Sequence, residues 1–333
     1  MEAGRGMGMT GAAEHLVAKD LLHTCAQIPQ AYRTPDARPT LAEAQAYCKH
    51  LAESHYENFH VATWFLPKRL RPHFQSIYAY CRIADDLGDE VADPELATRL
   101  LDEWGRLLDE CYDAPRSSLH PVFVALAETV RACSIPRKPF ADLLVAFRMD
   151  QTVTRYATLQ QLEDYSEYSA NPVGHLVLYA AGYDDAEMRS LADKTCTGLQ
   201  LANMWQDVHE DYERGRVYLS AAAMERHGVA EAQIAQRDFT PQFRELMREL
   251  VDYTRTMLRE GSALNAKVDA ELATTLSLFT RGGLAILDAI EAQDYNVLAR
   301  RPVVSKAAKA KLLLGALAGK FLPQGKRIGG NRP

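Results

Sequence analysis

From about residue 40 onward the chain repeats one pattern: apolar residues return at every third or fourth position, and alternating β-branched runs are scarce. Such spacing paints one stripe along a helix, and each stripe has to be buried against another helix. Asp93, Pro94 and Glu95 read as N-cap, first-turn proline and first-turn acid before "ELATRLLDEWGRLLDECY". Thr240 and Pro241 open "QFRELMRELVDYTRTMLREG" in the same way, with Gly261 as its stop, and Pro136, Pro172 and Pro302 mark other helix ends. The expected fold is all-α, a single-domain bundle of about ten to twelve helices. No Gly/Ser linker divides it, and no repeat of about 20 to 50 residues is visible. Residues 1–40, rich in Gly, Ala and Met, read as a flexible extension, 41–320 as the helical domain and 321–333 as a tail.

Hydrophobic residues make up 47% of the 333, ample for a large core. A net charge of -6, without a basic arm, argues against nucleic acid as partner. Six cysteines stand singly, with no C-x-x-C pair, which suits reduced thiols and a cytoplasmic protein. The ten histidines show no H-E-x-x-H pairing, so a transition-metal site is not expected, and His55 and His60 read as packing or hydrogen-bonding residues. The start of the chain lacks the charged and apolar regions of a secretory signal. The apolar run "LLLGALAG" at 312–319 is far shorter than the roughly 18 to 20 residues that span a bilayer. Around it lie Arg300, Arg301, Lys306, Lys309, Lys311, Lys320, Lys326 and Arg327, a composition that fits peripheral contact with an anionic membrane.

Two stretches carry chemistry. "YAYCRIADDLGDE", residues 78–90, places Asp85 and Asp89 on one helix face, with Asp86 and Glu90 rotated about 100° away and Arg82 one turn before Asp85. Like charges at that spacing repel, so such a helix end faces either water or a cation. "QLANMWQDVHEDYERGRVYL", residues 200–219, sets Asn203, Asp207 and Asp211 at i, i+4 and i+8, an oxygen-bearing row about 12 Å long with Gln200 near its start. Leu201, Met204, Trp205 and Val208 make the rest of that helix apolar, and carboxylates in such surroundings need partners. Magnesium suits this set: it takes carboxylate, amide and water oxygens and completes its shell with substrate phosphates. With no glycine-rich phosphate cradle in the chain, the two helices suggest a diphosphate held through metal ions. Arg82, Arg155, Arg214 and Arg216 are the basic candidates to complete it, against the plainer reading of surface charges.

These stretches resemble the two aspartate-rich motifs of the squalene and phytoene synthase family, the head-to-head prenyl diphosphate synthases. The resemblance continues through "HYENFHVATWFLPKRLRPHF" at 55–74, "FRMDQTVTRYATLQQLEDYSEYSANPVGHLVLYAAG" at 147–182 and "RRPVVSKAAKAKLLL" near the end, about residues 45–315 in all. It implies an isoprenoid synthase bundle around a central cavity, in which Asp85, Asp89, Asn203, Asp207 and Asp211 hold two or three Mg²⁺ ions bridging a prenyl diphosphate. His55, Asn58, Tyr78 and Arg82 match positions near the phosphates, with Asn58 in place of the more usual serine. Tyr165 and Gly174 match positions along the prenyl cavity, with core packing as the plainer alternative. Gln200 matches one near the reacting carbons, while Asp150, Arg155 and Tyr156 belong to a further family segment and Arg216 to the basic set.

Three features are similar to the bacterial branch linked to hopanoid synthesis, which takes presqualene diphosphate to hydroxysqualene: "NMWQDV", with Gln206 where the wider family typically has arginine, "YSANPVGHLVL" and "ENFHVATWFLP". Water then captures the final cation, no NADPH is expected, and Gln206 becomes a candidate to hold that water or, alternatively, to pack its helix. Coupling of two farnesyl or geranylgeranyl diphosphates is the alternative within the enzyme class. A non-catalytic isoprenoid-binding or assembly protein is the alternative outside it. Nothing in the sequence sets the oligomeric state.

Overall fold

The computed structural model describes residues 21–54, 66–309 and 312. Among them the chain forms fourteen α-helices and two short 3₁₀ turns, with one isolated bridge, Arg155 to Val217, as the only β pairing. The all-α expectation holds. The caps work as the sequence indicates: the Asp93 side chain accepts from the Glu95 N–H at 3.0 Å, and Thr240 Oγ1 accepts from the Phe243 N–H at 3.2 Å. Where one domain is expected, the described residues gather into two compact units, one of 21–54, 68–154 and 163–184, the other of 66–67, 155–162 and 185–309. Each unit is discontinuous in sequence, so no composition shift or linker marks the division.

In the first unit α1 (Leu21–Thr24), α2 (Leu41–Ser54), α3 (Arg71–Asp89), α4 (Pro94–Asp113), α5 (Pro121–Cys133) and α6 (Lys138–Met149) pack together, followed by most of α7 (Leu159–Ser169) and by α8 (Asn171–Ala181). Its centre is aromatic. Tyr80 of α3 lies 5.0 Å from Phe140 of α6 and 5.9 Å from Trp104 of α4, and Trp104 lies 4.6 Å from Phe123 of α5, each ring meeting the next at an angle that suits its quadrupole. This cluster fixes α3, and α3 carries the first acidic stretch.

Residues 21–40 depart from the expected extension. Leu22, Ile28 and Tyr32 are buried, α1 packs on α4, and a 3₁₀ turn forms at Gln30–Tyr32. Few but large apolar side chains anchor this stretch, a signal too sparse to stand out from a Gly- and Ala-rich background.

The second unit contains α9 (Ala186–Gln206), α10 (Val208–Glu213), α11 (Ala221–His227), α12 (Glu231–Gln236), α13 (Pro241–Gly261) and α14 (Ala270–Ala292). Helices α9, α13 and α14 form its core, with Trp205 Nε1 donating to Thr254 Oγ1 at 2.8 Å. Gly261 ends α13 as expected, for a different reason. Its φ of -60° is ordinary helix, so no left-handed turn requires it. A Cβ there would lie 2.8 Å from the Thr195 backbone nitrogen and 3.0 Å from the Leu191 carbonyl oxygen of α9, closer than backbone can yield. Gly261→Ala should therefore cost about 1–3 kcal/mol through overpacking, outweighing the roughly 1 kcal/mol that alanine gains as a helix former. The midpoint of urea unfolding measures it.

Candidate active site

Helix α3 ends in an acidic cluster whose members have different surroundings. Asp86 is buried, at 6% exposure, while the Asp85 side chain keeps 46% and Asp89 is exposed. Arg82 lies one turn back, as expected, yet its tight partner is Asp86. Its Nε donates to Asp86 Oδ2 at 3.1 Å and its Nη2 pairs with Oδ1, while Nη1 reaches Asp85 Oδ2 at 3.5 Å. Asp86, read from sequence as part of a rotated pair, is thus the anchor of the arginine. Tyr32 donates to the same carboxylate at 2.5 Å, a contact that sequence spacing cannot show because 54 positions separate the two.

Asp85 is half-buried at the end of α3. Its pKa is pushed from 3.8 up to about 6, first by loss of hydration and then by the charge of Asp89, with Arg82 opposing and Asp86 and Asp150 adding to the rise. Asp150, at the end of α6, accepts from the Tyr165 hydroxyl at 2.8 Å, so two candidates from separate segments meet. Tyr165 is buried, Tyr78 is half-buried with its phenol pushed up by burial, and Gly174 is buried in α8. His55 and Asn58 lie outside the described residues.

The second acidic row is not one straight helix. Helix α9 stops at Gln206, Asp207 takes φ -106° and ψ 14°, and α10 starts at Val208. Hydrogen bonds from Asp207 N to Asn203 O at 2.9 Å and from Asp211 N to Asp207 O at 2.8 Å keep the four-residue register through the break. Asn203 is exposed and Gln200, Asp207 and Asp211 are half-buried, while Leu201, Met204, Trp205 and Val208 fill the core. The oxygen row therefore runs along an accessible face instead of a sealed interior. Burial, then Asp207, push the Asp211 pKa from 3.8 up to about 6 against the pull of Arg214 and Arg216. Arg155 is committed elsewhere in this unit: it pairs with Glu231 at 2.8 Å and donates to the Gly215 carbonyl at 2.6 Å, beside Tyr156, which stacks on Tyr218.

Arg301, assigned from sequence to a basic tail, instead pairs with Asp207, its Nη2 reaching Oδ2 at 3.1 Å, and approaches Glu210 at 3.4 Å. Lys306 and Lys309 are exposed; Lys311, Lys320, Lys326 and Arg327 lie outside the described residues. Gln206 turns to the same segment. Its Nε2 donates to the Pro302 carbonyl at 2.5 Å and its Oε1 accepts from Arg301 Nη2 at 3.2 Å. Buried at 5% exposure, the amide joins α9 to residues 301 and 302.

Among the described residues no group of three or more His, Cys, Asp or Glu is placed to hold a metal ion by itself, and no helix is long and apolar enough to cross a membrane. The donors present are hard oxygens, few at each cluster and half open to solvent. That set fits Mg²⁺ bound through one or two carboxylates with the remaining positions left to water or phosphate, and it lacks the soft ligands of zinc.

An acid whose pKa is higher in the folded chain holds its proton more tightly there. It favours folding below about pH 4 and withdraws that stability as pH rises through about 6. In metal-free buffer Asp85→Asn should therefore raise the melting temperature above pH 6, and the difference from the parent chain should vanish near pH 4. A variant equally or less stable at pH 7 would contradict the raised pKa. Gln206→Leu leaves the buried Pro302 carbonyl without its donor and should cost about 1–3 kcal/mol in chemical denaturation.

Residues 52–308 match squalene/phytoene synthase. The chain is 29% identical over 295 residues to the 15-cis-phytoene synthase of Synechocystis sp., covering 83% of this chain and 86% of that protein. A solved structure of the squalene synthase HpnC from Alicyclobacillus acidocaldarius is similar at 41% identity and a TM-score of 0.74, covering 77% of this chain and 96% of that one. A dehydrosqualene synthase solved with a ligand is similar at 26% identity and a TM-score of 0.76, over 84% and 96% of the two chains. With its helical fold, its two acidic stretches and a family match across most of its length, the chain belongs to the squalene/phytoene synthase family.

Proposed function

We propose that the protein is a Mg²⁺-dependent enzyme that converts presqualene diphosphate and water to hydroxysqualene and diphosphate. The observation that supports this reading best is the 41% identity to the squalene synthase HpnC over nearly its whole length. The "NMWQDV" and "SANPVG" stretches agree with it. Asp85 and Asp89 would hold Mg²⁺ in the first unit, and Asn203, Asp207 and Asp211 would hold it in the second; the ion would supply neutralisation of the charge that develops on a departing diphosphate.

The remaining residues bind, orient and shield. Arg82 keeps its Nη1 edge toward Asp85 and half-open to solvent, so it adds donors for phosphate oxygens without giving up the Asp86 pair. The C–O bond of the cyclopropylcarbinyl diphosphate breaks with its electron pair leaving on oxygen, the ring opens, and the oxygen of one water bonds to the resulting allylic cation and loses a proton. Tyr165 and Gly174, both buried, line the prenyl chain in this reading. Gln206, whose amide is bonded to Arg301 and Pro302, acts by holding that segment against Asp207.

Purified protein given Mg²⁺ and presqualene diphosphate, without nicotinamide cofactor, should release an alcohol. In ¹⁸O-labelled water its mass should rise by about two units, because the capturing nucleophile is water. Asp85→Ala and Asp207→Ala should lower turnover by at least about a thousandfold, the scale of losing a principal electrostatic stabiliser. Squalene formed only with NADPH, or farnesyl diphosphate coupled while presqualene diphosphate is left untouched, would sink the water-capture reading.

A further inference from the structure

The stretch ahead of α2 reaches into the Arg82 cluster. Tyr32, 6% exposed at the end of its 3₁₀ turn, donates its hydroxyl to Asp86 Oδ2 at 2.5 Å. That same oxygen accepts from Arg82 Nε at 3.1 Å, Arg82 Nη2 closes on the other carboxylate oxygen, and Nη1 extends to Asp85. Two donors on one Asp86 oxygen leave the carboxylate little freedom to rotate about its Cβ–Cγ bond, so the plane of the guanidinium paired with it is set as well.

Tyr32 is itself held. His120, wholly buried at the cap of α5, lies with Nε2 3.1 Å from the Tyr32 carbonyl, while its Nδ1 accepts from the Val122 N–H at 3.3 Å. The acceptor role of Nδ1 places the proton on Nε2, which donates to Tyr32, and burial keeps the ring neutral. Tyr47 of α2 donates to the neighbouring Ala31 carbonyl at 2.6 Å, and Arg38 Nε donates to the Ser118 carbonyl at 3.2 Å. The segment is thus tied on both sides of Tyr32. Leu22, Ile28 and the aromatic cluster already supply apolar burial, whereas the phenol hydroxyl is committed to the one carboxylate that anchors Arg82.

We propose that Tyr32, fixed by His120, is a positioning residue: through Asp86 it holds Arg82 so that the Nη1 edge of the guanidinium and the Asp85 carboxylate are presented together to a diphosphate. This rests on the diphosphate reading above. The phenol touches no reacting atom, and its effect passes through Asp86.

Calorimetric titration of the full chain with inorganic pyrophosphate in excess Mg²⁺ tests the idea without turnover. Tyr32→Phe keeps the ring and should bind pyrophosphate about tenfold more weakly, the usual scale for a lost hydrogen bond to a charged group. Asp86→Asn should weaken binding at least as much, and the double variant should stay within about twofold of Asp86→Asn alone, since one chain of contacts cannot be cut twice. His120→Asn, which retains a good N-cap for α5 but loses reach to Tyr32, should weaken binding in the parent chain and change nothing in the Tyr32→Phe background. Parental affinity in Tyr32→Phe or in His120→Asn, or effects that multiply in the double variant, would overturn the proposal. A parent chain that binds no pyrophosphate would overturn the diphosphate reading and remove the ligand from this one.

Discussion

A carboxylate that loses much of its water beside another carboxylate needs a counter-charge, and both acidic stretches are built around that requirement. Asp85, next to Asp89, and Asp211, next to Asp207, have pKa values pushed up to about 6, first by lost hydration and then by the neighbouring carboxylate. Helical spacing forces these neighbours together: side chains four apart share a face whether or not they attract. The protein answers with fixed arginines. Arg82 serves the first cluster and Arg301 the second, and each compensates only part of the negative charge around it. Incomplete compensation leaves net negative charge at both clusters.

The aromatic and glycine packing makes that frustration bearable. Tyr80, Trp104, Phe123 and Phe140 lock α3 from below, so its acidic end does not drift to relieve repulsion. In the second unit α9 and α13 approach closely at Gly261, beside Leu191 and Thr195. The break at Asp207 then lets the row continue on α10 while Gln206 turns its amide inward to residues 301 and 302. Tension between packing that wants a fixed backbone and charges that want to separate is common where a site must wait for its ligand.

Much of this was legible in the chain itself. Apolar spacing, with Asp93 and Thr240 at their caps, sufficed for the helical class, because those signals depend only on residues within a turn of each other. Asp85, Asp89, Asn203, Asp207 and Asp211 were equally visible, since a four-residue spacing translates directly into a shared face. The aspartate-rich stretches pointed to the family for the same reason: they are short, ordered and chemically unusual.

Other features depend on partners that spacing cannot reach. That Asp86, and not Asp85, anchors Arg82 follows from burial of one carboxylate and a phenol arriving from residue 32. That Arg301 serves Asp207 instead of a basic tail follows from 94 positions of chain folding back on themselves. The same holds for the three separate chain segments of each compact unit and for the break between α9 and α10. Local sequence determined which helices form and which faces carry charge, because those are properties of one turn. Tertiary structure alone decided which charge meets which counter-charge, because a buried ion's preference is settled by whatever distant segment can reach it.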